Sequence, residues 1–236
     1  MIKISDRLRT VADMCRQGNV AADIGTDHGY LPIYLVQNNI FNKAVAMDLR
    51  EGPLEKARKH ISGYGLQDRI CTRLSDGLES LKCGEADTIT ICGMGGRLIR
   101  DILINGMDKL TPSVQLIVSP QSEVGEFRHF LLENGFDICA ERMVKDEGKF
   151  YFIMDCRISS EDDNNCYSDE AEYQFGKCLL EMKDITLYEY LQRELSVNQA
   201  IMSDLEKKDE SPALTRRRET LKAEKSCIET ALTYYD

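Results

Sequence analysis

No run of apolar residues in this 236-residue sequence is long enough to span a bilayer. The opening, Met1-Ile2-Lys3-Ile4-Ser5-Asp6-Arg7, lacks the apolar core of a secretory signal. A cytoplasmic protein with no membrane partner is therefore expected. Nine cysteines are present, yet no two stand as C-x-x-C, and no Cys/His group has zinc spacing. The odd number and the missing pairs point to free thiols in a reducing compartment and to no bound metal. Histidine is scarce, at three residues, and no Ser/His/Asp or Cys/His set of a covalent catalyst can be assembled around them. A G-x-G-x-x-G dinucleotide fingerprint is also absent.

What is there describes a packed protein. Hydrophobic residues make up 42% of the chain, enough for one domain with a large core and a smaller appendage. The net charge of −10 weighs against a nucleic-acid partner only until its distribution is counted. The first 158 residues carry 20 Lys+Arg against 22 Asp+Glu, and the remaining 78 carry 10 against 18. The front is near neutral and has room for a local basic face.

From residue 19 to 157, short β-rich runs alternate with helical stretches. The strand candidates are 20–24, 44–48, 70–74, 88–92, 115–119, 137–144 and 150–156, with the clearer helices at 31–37, 53–62, 97–103 and 124–133. Continuous apolar strands separated by helices predict a parallel sheet covered on both faces. The short 145–149 connection predicts an antiparallel hairpin at one edge. Ser5 is placed to cap a short helix over 6–15. Residues 159–165 read as a polar, acidic linker. Beyond it Leu187, Leu191, Asn198, Ile201 and Leu205 recur at roughly heptad spacing, Ser211-Pro212 interrupts, and Leu214, Leu221, Ile228 and Tyr235 repeat every seven residues. That pattern predicts an antiparallel helical hairpin. The expected fold is α/β: a Rossmann-like class I methyltransferase domain over residues 1–158 and a helical, coiled-coil-like domain over 159–236.

The chemistry is concentrated in Val20-Ala21-Ala22-Asp23-Ile24-Gly25-Thr26-Asp27-His28-Gly29-Tyr30. An apolar strand ends in an acid, and glycines then open a helix, bringing backbone close to a ligand where a Cβ would clash. A pyrophosphate would be repelled by carboxylates at 23 and 27, whereas the ammonium of a methionine moiety suits them. The segment therefore favours S-adenosyl-L-methionine over NAD. The second strand ends Met47-Asp48-Leu49, where an acid is placed for ribose hydroxyls. The third ends Ser75-Asp76-Gly77, where an acid can accept from an adenine amino group. Each acid alone is an ordinary strand-end turn residue; three in succession make a cofactor site. Asp23, Gly25, Thr26, His28, Asp48, Leu49, Asp76, Gly77 and Gly93 are its candidate residues.

The fourth strand ends Cys92-Gly93-Met94-Gly95-Gly96. Ligands in open α/β sheets bind beyond the carboxyl ends of the strands, so these glycines are expected beside the methyl acceptor. Cys92 is read as a small buried thiol, and His60 and His129 as helix-surface residues. The Asn or Asp followed by Pro-Pro and an aromatic, common in exocyclic-amine methyltransferases, is missing.

The run Asp23 to Pro32, with Gly93-Met94-Gly95-Gly96, Ser5-Asp6-Arg7-Leu8, Ser119-Pro120-Gln121 and Gly148-Lys149-Phe150-Tyr151, resembles the bacterial tRNA adenine-22 N1-methyltransferase family (TrmK). The likeness extends to Gln174-Phe175-Gly176, and the sequence departs from the family pattern at Gly29, where Ala is usual. The resemblance implies S-adenosyl-L-methionine as cofactor, tRNA as partner and adenine N1 as acceptor. That nitrogen carries an in-plane lone pair, so alignment rather than a strong base is what the site must supply. Asp27, Tyr30, Gly93, Met94 and Gly95 are the candidates around the acceptor, with Tyr30 available to stack on an exposed base. Arg7, Arg9, Arg97 and Arg100 are candidates for RNA phosphates. Two other readings stand beside this one: a methyltransferase for another RNA or a small molecule, and a non-catalytic RNA-binding module worked by the helical hairpin. A nicotinamide-dependent oxidoreductase is opposed by Asp27. Nothing in the sequence fixes an oligomeric state.

Overall fold

In the computed structural model, which describes residues 1–159, 167–207 and 211–236, the chain separates into two units, Met1–Asn165 and Cys166–Asp236. The stretch read as a linker lies, apart from Ser159, outside the described residues.

The first unit is built on strands β1 (Gly18–Ile24), β2 (Phe41–Asp48), β3 (Ile70–Leu74), β4 (Thr88–Met94), β5 (Gln115–Pro120), β6 (Phe136–Asp146) and β7 (Lys149–Ile158). They form one sheet in the order β3-β2-β1-β4-β5-β7-β6. The first five are parallel to their neighbours, and β7 runs antiparallel between β5 and β6. The expected hairpin therefore enters the sheet by its second strand. Its turn is only Glu147-Gly148, both at positive φ (48° and 78°), the combination whose twist matches that of the flanking strands. β6 and β7 pair from Asp146↔Lys149 to Phe136↔Ile158, which carries both beyond the limits their apolar residues suggest.

Around the sheet lie α1 (Asp6–Met14), α2 (Tyr30–Gln37), α3 (Glu51–Gly63), α4 (Gly96–Asn105) and α5 (Val124–Glu133). Ser5 caps α1, its Oγ accepting from Leu8 N at 3.3 Å. Val11, Ala12, Leu31, Ile33, Leu35, Val36, Ala57 and Ile61 are buried in one core cluster with Ala21, Phe41 and Ile117. Every residue of β5 is buried, as a central strand covered on both faces must be.

The second unit is helical: α6 (Glu170–Phe175), α7 (Lys177–Glu181), α8 (Ile185–Glu206) and α9 (Pro212–Thr233). Asp184 caps α8 and Ser211 caps α9, with Pro212 at the start of α9 where its missing N–H costs nothing. The two long helices are antiparallel, joined at their far ends by Arg218 Nη2 donating to Leu205 O (2.7 Å) and at their near ends by Tyr235 OH donating to Asp184 O (2.9 Å). Leu187, Leu191, Leu205, Leu221 and Ile228 are buried, as the heptads predict; Ile201, Leu214 and Tyr235 are half-buried. Asn198 is buried among the leucines and its Nδ2 donates to Leu221 O at 3.0 Å.

Candidate active site at the strand ends

The order of the sheet reverses between β1 and β4: the chain runs outward from β1 through β3, then returns to the other side of β1. The loops leaving the carboxyl ends of these two neighbours diverge, and such a divergence is where open α/β sheets open a crevice. A cavity of about 370 Å³ lies there. Asp23, Gly25, Thr26, Asp27, His28, Tyr30 and Cys92 line it from β1, β4, α2 and the loop before α2, and Lys3, Ile4, Ser5, Arg7 and Leu8 line it from the N-terminal segment.

Asp23 is buried at the end of β1 and accepts a hydrogen bond from Thr90 Oγ1 of β4 at 2.8 Å. Burial pushes its carboxyl group up, the hydrogen bond from Thr90 opposes that in part, and the Asp48 charge adds to it. A carboxylate held this way gains most from a cation brought to it. Beside it, burial and the Asp23 charge raise the Cys92 thiol, which stays protonated and unreactive at neutral pH; Cys15 is pushed up to about 12 by the same causes.

The β1–α2 loop is bent by three residues at positive φ: Gly25 (75°), Asp27 (45°) and Gly29 (72°). A Cβ on Gly25 would sit 2.1 Å from Met94 Cε, and one on Gly29 would sit 3.2 Å from Ala57 Cβ. The N–H groups of Gly25 and Thr26 both donate to Met47 O (2.8 and 2.9 Å). What the loop turns to the cavity is therefore side chains rather than those two amides. Three buried polar atoms around it have no hydrogen-bond partner in the protein: Arg7 Nη1, Thr26 Oγ1 and His28 Nδ1. Buried polar groups are paired almost without exception, so three orphans around one cavity with a buried carboxylate describe a receptor for a polar, zwitterionic ligand.

The remaining candidates are distributed around this cavity. Asp48 is buried at the end of β2, its Oδ1 accepting from Arg50 N at 2.9 Å, and Leu49 beside it is exposed. Asp76 and Gly77 border a second cleft of about 160 Å³ closed by Leu98, Asp101, Ile102 and Asn105 of α4. Gly93, at φ 81°, makes a bulge that shifts the register of β4 on β5. A Cβ there would lie 3.5 Å from Arg7 Nη1. Met94 reaches back to Gly25. A Cβ on Gly95 would meet Ser122 Oγ at 2.9 Å, and one on Gly96 would meet Ser122 O at 2.6 Å, so Gly96 is where a side chain collides with backbone.

The four arginines separate. Arg9 and Arg97 are exposed, and Arg100 is half-buried and paired with Glu123 at 3.5 Å. Arg7 turns inward, its guanidinium 5.0 Å from the centre of the Tyr151 ring and its backbone N–H donating to Asp146 Oδ2 at 3.4 Å. The sequence offers no signal for this inward turn, because Tyr151 and Asp146 lie some 140 positions away. Nor does it place His60, whose Nδ1 lies 2.9 Å from His28 O and whose ring stacks on His28 and Tyr30. Among the described residues no group of three or more His, Cys, Asp or Glu side chains is arranged to hold a metal ion, and no helix is long and apolar enough to cross a membrane.

Comparison with known proteins gives the same picture. Residues 4–154 match the family model described as a methyltransferase domain. The chain is 42% identical over 153 residues to the tRNA (adenine(22)-N(1))-methyltransferase of Bacillus subtilis; the aligned stretch covers 65% of this chain and 64% of that relative, a little under two thirds of its length. Among solved structures, the B. subtilis M1A22 tRNA methyltransferase TrmK superposes with a TM-score of 0.86 at 32% identity, covering 98% of this chain and 100% of that one. The TrmK of M. capricolum, in complex with S-adenosyl-homocysteine, superposes with a TM-score of 0.82 at 29% identity over 98% of both chains.

Proposed function

The chain belongs to the bacterial tRNA adenine-22 N1-methyltransferase family, and from that premise we propose that it methylates N1 of adenine 22 in tRNA, in the cytoplasm, with S-adenosyl-L-methionine as donor. The observation that carries the reading is the ring of unpaired polar atoms on Arg7, Thr26 and His28 around the buried Asp23. A methionine moiety carries one ammonium and one carboxylate, and the cavity offers the buried carboxylate of Asp23 and one unpaired guanidinium nitrogen of Arg7. Asp23 holds the ammonium. Arg7, entering from the N-terminal segment, holds the carboxylate and not, as its sequence position suggests, an RNA phosphate. Asp48 receives the ribose hydroxyls through the carboxylate oxygen not bound to Arg50, and Asp76 and Gly77 receive the adenine in the cleft beside α4.

Bound there, the cofactor supplies a methyl group on a sulfonium, a leaving group good enough for a neutral ring nitrogen to displace. The protein's task is alignment and exclusion of water. Tyr30, 38% exposed at the mouth, supplies a flat face for the extruded base. The bulge at Gly93 and the small Gly95 leave space for its edge, with Met94 between them. Attack by N1 places a positive charge on the adenine, and Asp27, whose carboxylate is solvent-facing and lies 3.3 Å from His28 Nε2, faces that charge. Arg9, Arg97 and Arg100 contact phosphates. Residues 1–158 carry the chemistry and residues 159–236 position the RNA.

The test is direct. The protein is incubated with labelled S-adenosyl-L-methionine and unmodified bulk tRNA, and the labelled nucleoside is identified. 1-Methyladenosine at position 22 is expected; label in another nucleoside, or in no RNA, overturns the reading.

A further inference from the structure

The β1–α2 loop, which carries Asp27 and His28 and leads into Tyr30 at the start of α2, is held at its two ends by different parts of the molecule. Its first residues are strapped to β2, Gly25 N and Thr26 N donating to Met47 O. Its last residues are held by α3. There His60 Nδ1 is 2.9 Å from His28 O, and because a carbonyl only accepts, Nδ1 carries the proton and donates. The His60 ring lies 5.1 Å from that of Tyr30 at 14° between planes, and 5.7 Å from that of His28 at 20°. His28 and Tyr30 are themselves 5.2 Å apart at 11°. Three nearly parallel rings thus form one block: His28 from the loop, Tyr30 from the start of α2, and His60 from α3. Ala57, one turn earlier on α3, fills the space against Gly29. The loop needs such a hold, because Asp27 sits at φ 45°, a conformation that persists only where its surroundings impose it.

We infer that His60 is a positioning residue of the methyl transfer: by its hydrogen bond to His28 O it fixes Asp27 and the Tyr30 ring on the acceptor side of the site, while Gly25 and Thr26 on the cofactor side are held separately by Met47. His60 touches neither the cofactor cavity nor the acceptor; it acts through His28 and Tyr30. The inference rests on the methyltransferase reading given above, and it makes a demand that a structural role would not. Loss of His60 must lower turnover by clearly more than it weakens cofactor binding.

The experiment measures single-turnover methylation of tRNA and S-adenosylhomocysteine affinity for the wild type, His60→Ala, His60→Asn and His60→Phe, each compared at equal folded fraction. Wild-type activity comes first: no methylation of tRNA by the unaltered protein rejects the methyltransferase reading itself and leaves His60 unreached. With an active wild type, His60→Ala is expected to lose about ten- to a hundredfold in rate, the scale of a small misplacement of reacting groups, and a clearly smaller factor in S-adenosylhomocysteine affinity. His60→Asn, whose amide occupies the place of Nδ1, is expected to recover more of the rate than His60→Phe, which keeps a ring and loses the donor. Should His60→Ala fail to fold, the Asn and Phe variants decide. Equal rates in those two, an unchanged rate in His60→Ala, or a parallel loss of cofactor affinity overturns the inference.

Discussion

The two units place their buried polar groups differently. In the helical unit Asn198 lies among leucines, its Nδ2 donating to Leu221 O of the neighbouring helix and its Oδ1 without a partner. In the sheet unit Arg7, Thr26 and His28 leave buried atoms without partners, all around one cavity. A polar side chain bonded across a helical seam fixes which residues face each other; a set left unsatisfied around one cavity is waiting for a ligand. Backbone strain divides the same way. Two non-glycine residues at positive φ, Asp27 and Glu123, stand immediately beyond strand ends on the site's side of the sheet, whereas the helical unit has Lys183 alone among its described residues. One unit is conformed for binding and the other for stiffness.

Breaking the comparison at its strongest point means removing the charge the cavity is built around. Asp23→Asn should abolish methylation and weaken S-adenosylhomocysteine binding by about 2–3 kcal/mol, the scale of a lost hydrogen bond to a charged group, in a titration calorimeter. An unchanged affinity would make Asp23 a turn residue. The same carboxyl gives a pH signature. Its pKa is raised in the folded protein, mainly by burial, so the stability it contributes is present at acid pH and is lost as pH rises through the folded-state value. Ligand affinity runs the other way, growing with pH over that window because the ammonium needs the carboxylate. Thermal melts with and without S-adenosylhomocysteine should therefore diverge as pH rises in the wild type, and run in parallel in Asp23→Asn.

A cut between the units tests the division of labour. Residues 1–158 are expected to bind S-adenosylhomocysteine with near-normal affinity and to lose most tRNA methylation. Full-rate methylation by this fragment would remove the helical unit from RNA positioning. The smallest effect belongs to Asn198→Leu. Replacing a polar seam residue by an apolar one should raise the melting temperature of the full chain by about a few degrees and leave cofactor affinity untouched. A fall in melting temperature would mean that the hydrogen bond to Leu221 O contributes more than leucine packing would.

Much of this was written in the sequence, for reasons that differ by region. The strand ends were legible because their residues are close in sequence: Asp23, Gly25 and Thr26 belong to one turn, and apolar runs with helices between them leave few sheets to choose from. The heptads of α8 and α9 were legible because one face of each helix repeats. The position of β7 between β5 and β6 was not, since two strands joined by a tight turn have the same pattern in either order. Sequence position makes Arg7 a candidate for an RNA phosphate, because nothing near it in the sequence reports its contacts with Tyr151 and Asp146. His60, on the exposed half of a helical pattern, gave no hint that Tyr30 and His28 would stand against it. What was missed was assembled from distant segments, where local pattern has no purchase.

The insertion of β7 also bears on how this protein is made. A ribosome delivers β1 through β6 before β7, yet β6 has no neighbour in the finished sheet except β7, and the outer edge of β5 stays open until β7 docks antiparallel against it. An open β edge is a template for pairing with another chain. The nascent polypeptide must therefore carry that edge until residues up to Ile158 have left the exit tunnel, and the sheet closes as a late event, by hairpin insertion rather than by strand-after-strand growth.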